Sequence, residues 1–461
     1  MDNISIKKAS LFYLFGTLFN KGIGFITTPI FTRILSISDY GTITTYTSWF
    51  SMLSVVFSLA LYMGIRAAFL DYSDKIEDFC ATITTFNLIY GATVSSACII
   101  FVNIFGINVD NRMVICCLVQ SVMGAIIENY LMYLMMKYKY KLRTAFMILP
   151  NLISTIMSIV LILFVFERKQ YFVRICVSVI VYVVFGGIAV ILIYKKSKVY
   201  NKEYLVYGLK ISVPLILHGI ALGILSQSDR TMITAMRGEE ETARYGLVYN
   251  YSMIATVLTT AFDGVWIPWF VKKMKANLYD EINDISRSYV RFMTAALSGV
   301  VLVGPEVVRI LAPKGYWESI VIIPALVLSN YIIFLYTLFV NIEHYYKKTV
   351  FISLNTCVAA ISNIILNVLF IKWFGYMGAA YTTLISYVIS LLLHIIYSKR
   401  LNKKLLPIKA FAIPSLCVLC CVFSFYFFIE NICIRWIIAV IVVVVTIISE
   451  KNKILKFLRK E

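Results

Sequence analysis

The amino-acid sequence predicts an all-α integral membrane protein with about fourteen transmembrane helices. Of its 461 residues, 60% are hydrophobic and 15% are charged, whereas soluble proteins have roughly 45–50% apolar and about 25% charged residues. Long apolar stretches recur from residue 10 to residue 450 with no polar block between them. We therefore expect no separate soluble domain. We also expect the first apolar stretch to be kept as a helix, because no small-residue cleavage site follows a short apolar region there.

The sequence contains fourteen segments that are long and apolar enough to cross a bilayer, since a spanning helix needs about 20 mostly apolar residues. They lie near residues 10–35, 42–68, 79–106, 113–136, 144–166, 171–194, 208–234, 245–271, 288–312, 317–342, 349–371, 377–398, 407–429 and 433–450. Successive loops between these spans lie on alternate sides of the membrane. The loops and tails on the side of the N-terminus contain 26 Lys and Arg residues, and those on the opposite side contain 10. The positive-inside rule therefore predicts that both termini are cytoplasmic.

The net charge of +19 has a simple explanation in this topology. Lysines in cytoplasmic loops orient the helices and are attracted to anionic lipid. A basic protein often binds nucleic acid, but no folded nucleic-acid-binding module is recognisable here. We therefore expect membrane lipids, and no nucleic acid, as partners.

Two stretches, residues 38–57 and 243–262, resemble each other at a constant offset of 205 residues. The identical pairs are Tyr40 and Tyr245, Gly41 and Gly246, Tyr46 and Tyr251, Leu53 and Leu258, and Phe57 and Phe262. The stretches follow the first and seventh spans, which predicts two parallel six-helix repeats. The alternative is a chance similarity between two helix starts. The predicted division is 1–203 (spans one to six), 204–404 (spans seven to twelve) and 405–461 (two further helices and a basic tail).

The loops favour a transporter over an enzyme. They are short, roughly 5 to 20 residues, whereas a membrane glycosyltransferase or polysaccharide polymerase commonly uses a large loop to hold its substrates. The three histidines, His218, His344 and His394, are dispersed, and no paired-carboxylate motif of a catalytic site is recognisable on a loop. We therefore expect no catalytic residues, no metal and no cofactor.

Two segments carry a family resemblance. The first is "TPIFTRILSISDYGTITTYTSW" (residues 28–49), in which a proline, an Arg-x-Leu and an acidic-Tyr-Gly turn follow one another. The second is "SQSDRTMITAMRGEEETARYGLVYNYS" (residues 226–252), and Pro268 lies late in the next span. These residues resemble the polysaccharide-transporter branch of the multidrug/oligosaccharidyl-lipid/polysaccharide exporter superfamily. The matching residues of the first segment are Pro29, Arg33, Leu35, Asp39, Tyr40 and Gly41.

The resemblance implies a flippase that moves an undecaprenyl-diphosphate-linked oligosaccharide, an O-antigen or capsule repeat unit, across the bacterial cytoplasmic (inner) membrane by alternating access. It also implies a fold of two six-helix lobes around a central cavity, plus two C-terminal helices. A polysaccharide polymerase and chain-length machinery are the implied partners. The alternatives are a cation-coupled multidrug exporter of the same superfamily and, less favoured, a membrane glycosyltransferase or polymerase.

Lys21 is the most unusual residue of the first predicted span, eleven residues from one end and fourteen from the other. A charge at a helix centre costs roughly 2.5–3.5 kcal/mol, so such a residue normally faces a protein interior or a water-filled cavity. Thr17, Gly24 and Thr28 share its helix face. We predict that Lys21 lines the cavity and neutralises the diphosphate or an acidic sugar. The alternative is an ion pair with Glu128 that only holds helices together.

Other ionisable residues inside the predicted spans are candidate site residues. The candidate substrate contacts besides Lys21 are Arg66, Asp229 and Arg230, and the candidates for ion coupling are Glu128, Asp263 and His218. The alternative for Arg66 is a position at the membrane interface, and the alternative for His218 is ordinary packing. Glu306 and Arg309 lie three residues apart and are expected to pair. The driving force stays open between a proton or sodium gradient and the membrane potential.

Overall fold

The protein is helical throughout its described part. The computed structural model describes the backbone of residues 3–106 and 109–458. The described side chains exclude those of residues 3–11, 13–14, 17–18, 21, 214–215 and 452–458. No strand occurs among the described residues, which confirms the predicted all-α class.

Fifteen α-helices make up the described chain. They are α1 (Asn3–Ile34), α2 (Ile37–Ser58), α3 (Leu61–Asp71), α4 (Ile76–Ile104), α5 (Asn111–Met136), α6 (Tyr140–Phe164), α7 (Gln170–Tyr194), α8 (Lys202–Arg237), α9 (Glu239–Ser252), α10 (Ile254–Lys275), α11 (Tyr279–Leu311), α12 (Ile323–Tyr345), α13 (Thr349–Leu401), α14 (Lys409–Phe427) and α15 (Ile432–Leu458). Two 3₁₀ helices, Ser73–Lys75 and Lys314–Ile322, precede α4 and α12.

The segment after α1 is shaped by one helix cap and one close contact. The Ser36 hydroxyl accepts a hydrogen bond from the Asp39 N–H at 3.0 Å, which satisfies a donor that the first turn of α2 leaves unpaired. Gly41 lies against the start of α9, where a Cβ atom would be 1.9 Å from the Glu239 carbonyl oxygen. The Asp-Tyr-Gly sequence at residues 39–41 therefore serves helix initiation and close backbone packing.

Helix α13 runs for 53 residues and covers two predicted spans, 349–371 and 377–398. Gly375 interrupts it with φ 56° and ψ −142°, a conformation that glycine adopts because it lacks a Cβ atom. Helix α8 is bent by 49° between Lys202–Val213 and Ile216–Arg237. Both long helices thus contain a local break.

The described helices identify a multi-pass membrane protein. Eleven segments among the described residues are long and apolar enough to cross a membrane, two of them formed by the helix pairs α2–α3 and α9–α10, and the bent α8 makes twelve. Helix α13 is counted once here, although it covers two predicted spans. The number of fourteen spans and the two six-helix repeats stay predictions.

The first packing unit comprises residues 1–243. Helix α5 packs against α2, α3, α4, α6 and α7, and α8 packs against α2, α3 and α4. The core of this unit includes Phe57, Phe79, Ile126 and Leu134, all fully buried. Five helices of this unit, α1, α2, α5, α6 and α7, also surround the candidate site.

The second packing unit comprises residues 244–461. Helix α11 packs against α10, α12, α14 and α15, and α12 packs along α13. Two ion pairs join α11 to α15: Arg435 Nη1 lies 3.0 Å from Glu306 Oε2, and Arg291 Nη1 lies 2.6 Å from Glu450 Oε1. The division into 1–203, 204–404 and 405–461 is a different partition of the chain and stays a prediction.

The expected pairing of Glu306 with Arg309 is wrong. Glu306 pairs with Arg435, which is completely buried, and Arg309 lies 3.6 Å from Glu430. Helix α15 brings Arg435 beside α11, and this contact between distant parts of the chain outcompetes the local pair along one helix.

Candidate substrate cavity

Two adjoining cavities lie within the first unit, among α1, α2, α5, α6 and α7. The larger has a volume of about 300 Å³ and is lined by Asn20, Phe50, Ser54, Gly124, Ile127, Glu128, Leu131, Phe146, Met147, Pro150, Asn151 and Tyr182. The smaller has a volume of about 140 Å³ and is lined by Ile43, Tyr46, Thr47, Phe50, Gln120, Asn151, Ser154, Arg174, Ile175, Ser178 and Tyr182. They share Phe50, Asn151 and Tyr182. We call the two together the N-terminal cavity.

Arg174 of α7 lines the smaller cavity. Its Nη1 donates to the Ser154 carbonyl oxygen at 2.9 Å and to the Ser158 hydroxyl at 3.1 Å. Its guanidinium lies 4.9 Å from the centroid of the Phe31 ring, a cation–π contact. Among the described residues, no carboxylate lies within 4.0 Å of this guanidinium. The local structure therefore fixes a positive charge in place without neutralising it.

Amide and hydroxyl groups line the middle of the N-terminal cavity. The Tyr46 hydroxyl donates to Gln120 Oε1 at 2.7 Å, and Gln120 Nε2 donates to the Ser178 hydroxyl at 3.2 Å. On the other side, Asn151 Nδ2 donates to Asn20 Oδ1 at 3.2 Å. These groups are neutral, and each has donor or acceptor capacity that can be redirected to a ligand. The middle of the cavity is thus polar without further charge.

Glu128 of α5 lines the larger cavity, and its side chain is exposed there. The Ser58 hydroxyl lies near its carboxylate. No described Lys or Arg side chain lies within 4.0 Å of the Glu128 carboxylate. Lys21 lies on α1 next to the lining residue Asn20, but its side chain is outside the described residues. Whether Lys21 pairs with Glu128 therefore stays a prediction.

The two charged lining residues lie at opposite ends of the N-terminal cavity. Glu128 belongs to the larger cavity and Arg174 to the smaller one, with Phe50, Asn151 and Tyr182 shared between them. In the predicted orientation, α5 runs inward and Glu128 lies in its last third, whereas Arg174 lies near the outer start of α7. The cavity thus has an acidic inner end and a basic outer end in this orientation.

The other predicted site residues of the first unit lie away from this cavity. Arg66 is exposed on α3, and Asp229 and Arg230 are buried on α8. Arg230 Nη1 donates to the Ser48 hydroxyl at 3.3 Å. His218 is partly buried on α8. None of these four belongs to the lining residues of the N-terminal cavity.

Asp263 lies on α10 in the second unit. It is partly buried, and its Oδ1 atom is buried with no hydrogen-bond partner among the described residues. Among the described residues, no group of three or more His, Cys, Asp or Glu side chains is arranged to hold a metal ion.

Sequence reasoning missed Arg174, Gln120 and Asn151. Arg174 lies near the start of the predicted span 171–194, where an arginine is an ordinary residue of the membrane interface. A helical signal was nevertheless available, since Arg174, Ser178 and Tyr182 follow one another at intervals of four residues and so share one helix face.

Comparisons with known proteins agree with this fold. The model of the family described as "Polysaccharide biosynthesis protein" matches residues 6–274. No match was found among curated proteins. The structure is similar to that of the lipid II flippase MurJ in an inward closed conformation, with a TM-score of 0.70 and 18% identity over 96% of this chain and 99% of that one.

Two further solved structures are similar at 12% identity. One is an inward-facing multidrug resistance MATE family transporter of the MOP superfamily, with a TM-score of 0.64 over 84% of this chain and 94% of that one. The other is a MOP superfamily transporter from Pyrococcus furiosus, with a TM-score of 0.52 over 85% of this chain and 95% of that one. These likenesses confirm the predicted fold class.

Proposed function

Because the chain belongs to the polysaccharide biosynthesis protein family and has the fold of MurJ and MATE transporters, we propose that it flips undecaprenyl-diphosphate-linked oligosaccharide repeat units. It does so by alternating access in the bacterial cytoplasmic membrane, with both termini in the cytoplasm. The cargo is an O-antigen or capsule unit, which a polysaccharide polymerase and its chain-length machinery then extend. Proteins of this family and fold are transporters and not enzymes.

The observation that supports this proposal is the N-terminal cavity with Arg174 at one end. A diphosphate diester carries about two negative charges, and a low-dielectric path excludes it unless fixed cations and hydrogen-bond donors replace water. Arg174 supplies a fixed cation with no described acidic partner. Gln120 and Asn151 supply amide donors beside it. This donor set suits a phosphate-bearing head group and its sugar hydroxyls.

Lys21 is the second cation of the proposed anion path. Its neighbour Asn20 lines the larger cavity, and Gly24 and Thr28 lie on the same helix face. A Cβ atom on Gly24 would meet nothing within 4 Å, so that face of α1 is open. We propose that Lys21 receives the diphosphate and that Arg174 holds it farther along the path.

The remaining predicted site residues keep the status of proposals. Arg66, Asp229 and Arg230 are proposed substrate contacts outside the N-terminal cavity. For ion coupling, Glu128 has support from its exposed position in that cavity, and Asp263 has support from its unpartnered carboxylate oxygen. His218 is the third proposed coupling residue.

Deletion and complementation test the proposed function in cells. The gene is deleted, and the leaflet on which the undecaprenyl-linked unit accumulates is measured by its accessibility to an external glycosidase. We expect accumulation on the cytoplasmic side, relieved by the native chain. Unaltered sidedness with loss of chain extension would support a polymerase instead, and efflux of a lipophilic cation such as ethidium would support a multidrug exporter.

Point variants in the same strain test the anion path. We expect Lys21→Ala to restore little flipping and Lys21→Arg to restore more than Lys21→Gln, because arginine keeps the charge. The matched control is Lys141→Ala, which removes an exposed lysine at the start of α6. A stably inserted Lys21→Ala protein that flips at the native rate would refute the role of Lys21.

A further inference from the structure

Glu343 and His394 form a buried pair in the second unit, between α12 and α13. His394 Nδ1 lies 3.0 Å from Glu343 Oε1 and 2.9 Å from Oε2. Only 2% of the His394 side chain and none of the Glu343 side chain is exposed. Tyr336 stacks on the imidazole at a centroid distance of 5.5 Å, and the Phe351 ring meets it edge-on at 6.2 Å. Two aromatic rings thus cover the imidazole of the pair.

No other full charge compensates this pair. Among the described residues, no Lys, Arg, Asp or Glu side chain forms an ion pair with this Glu–His pair. Lys348, between α12 and α13, donates its backbone N–H to the Glu343 carbonyl oxygen at 2.9 Å. The titratable groups that face it are His344, the next residue of α12, and the Tyr336 hydroxyl group of the same helix. The protonation state of the pair therefore decides the net charge of the site.

This isolation restricts how many protons the pair holds. With one shared titratable proton the pair is neutral overall, either as carboxylate with imidazolium or as carboxylic acid with imidazole. Loss of that proton leaves an uncompensated negative charge in a site away from water, and a second proton leaves a positive one.

The pair differs in kind from the other buried ion pair of the second unit, Glu306 with Arg435. The Arg435 guanidinium also donates to the carbonyl oxygens of Leu302 and Phe428. A guanidinium stays protonated at all accessible pH values, so this pair is a permanent contact. An imidazole gains and loses its proton near neutral pH. Of these two buried pairs, the one with the imidazole has the chemistry of a proton-binding group.

The position of the pair gives it a short route to water. Glu343 lies two residues before the end of α12 at Tyr345, and its neighbour His344 is exposed. His394 belongs to the part of α13 that follows the break at Gly375. A displacement of that part of α13 relative to α12 would separate the two side chains and admit water between them.

We propose that the Glu343–His394 pair is a proton-binding site that couples proton movement to flipping. Water on one side of the membrane delivers one proton to the pair while α12 and α13 are apart, the closed pair holds it, and reopening toward the opposite side releases it there. The coupling rests on the proposed flippase function, whereas proton binding at the pair does not.

Proton binding is tested without any substrate. Purified protein in detergent is titrated between about pH 5 and 8, the range over which a histidine changes charge, while infrared difference spectra record the carboxylic C=O stretch. We expect a band in the native protein that Glu343→Gln abolishes and His394→Gln shifts. The matched control is Glu306→Gln, which removes the carboxylate of the arginine pair and should keep the band. Glu128 and Asp263 contribute carboxyl bands of their own, so the test is the difference between the native and Glu343→Gln spectra. A spectrum that Glu343→Gln leaves unchanged would overturn the proposal.

Coupling is tested in liposomes with a fluorescent polyprenyl diphosphate and the membrane potential clamped. A gradient of about one pH unit with one proton per cycle shifts the steady-state leaflet ratio of the probe by up to about tenfold. We expect this shift in the native protein and in Glu306→Gln, and its loss in Glu343→Gln and His394→Gln. An unchanged shift in both pair variants would overturn the coupling. A native protein that moves no probe at equal pH on both sides would refute the flippase function instead, whatever the infrared result.

Discussion

Replacing Arg174 by glutamine removes the one cation among the described lining residues of the N-terminal cavity. Glutamine keeps a donor that reaches toward Ser154 and Ser158, the present partners of the guanidinium. The change therefore removes the charge and the contact with the Phe31 ring while leaving the shape of the site nearly intact. A loss of transport in this variant would therefore report the effect of removing the charge more than an effect of altered packing.

The size of the effect follows from electrostatics. Two unit charges about 4 Å apart interact with roughly 4 kcal/mol at an effective dielectric constant of about 20. Arg174 is partly exposed to the cavity, and Lys21 is proposed to act on the same diphosphate, so we discount this value to about 1.4–2.8 kcal/mol. That range corresponds to a decrease of about 10- to 100-fold in the flipping rate.

The assay uses liposomes that contain a fluorescent polyprenyl diphosphate and the purified protein, with dithionite quenching of the outer leaflet over time. We expect Arg174→Lys to fall between the native protein and Arg174→Gln, because lysine keeps the charge but lacks the planar fork of donors. The matched control, Arg112→Gln, alters an arginine whose side chain is 71% exposed. A native rate in Arg174→Gln, with an unchanged melting temperature, would refute the proposed anion path.

Two further predictions concern stability. Gly41→Ala should lower the melting temperature sharply or prevent insertion, because its Cβ atom would lie 1.9 Å from a carbonyl oxygen of α9. The control Gly187→Ala, where nothing lies within 4 Å, should leave the melting temperature nearly unchanged. Equal melting temperatures for the two variants would contradict the close contact at Gly41. The second prediction concerns Glu77, which lies just outside the predicted span. Burial raises its pKa, but the hydrogen bonds from Lys137, at 3.0 Å, and from Tyr133 lower the pKa by more. The pKa of Glu77 therefore lies below its ordinary value. The stabilisation, of about 1 kcal/mol, is present above the ordinary pKa and is lost as pH falls through the lowered pKa. The native protein should therefore lose more thermal stability than Glu77→Gln between about pH 5 and 3, and parallel curves would contradict this.

The helices are the most predictable part of this protein, because a chain in lipid must satisfy its backbone hydrogen bonds internally. The apolar stretches 144–166 and 171–194 predict α6 and α7 to within a few residues. The break in the second predicted span is not predictable. Leu59 and Ala60 adopt left-handed conformations there although neither is glycine, and the Ala60 carbonyl oxygen accepts a hydrogen bond from Ser212 at 3.0 Å. A contact from α8 thus helps to hold a turn that local sequence does not signal.

The candidate site is less predictable than the helices, because its contacts join distant residues. In the sequence, Lys21 and Glu128 are recognisable as charges in the middle of predicted spans. Arg174 lies near the end of a span, and only the fold shows that it contacts Ser154 and Ser158 of α6. His394 meets Glu343 across 51 residues of sequence. Composition reveals which residues are unusual, but only tertiary packing reveals which of them meet.

The two ion pairs between α11 and α15 have a consequence for assembly. Arg291 and Glu306 are 15 residues apart on α11, and Arg435 and Glu450 are 15 residues apart on α15, a separation of about 22 Å on each helix. Each helix therefore carries a basic residue followed by an acidic one at the same interval. Antiparallel docking joins opposite charges at both ends.

Parallel docking would instead oppose arginine to arginine and glutamate to glutamate, and a slip of one turn, about 5.4 Å, would break both pairs. A buried pair such as Glu306 with Arg435 adds little net stability compared with apolar residues, and the partly exposed pair of Arg291 with Glu450 adds little as well. The charges of the two pairs nevertheless specify the direction and the register in which α15 packs against α11. Arg435 and Glu450 thus determine where α15 docks.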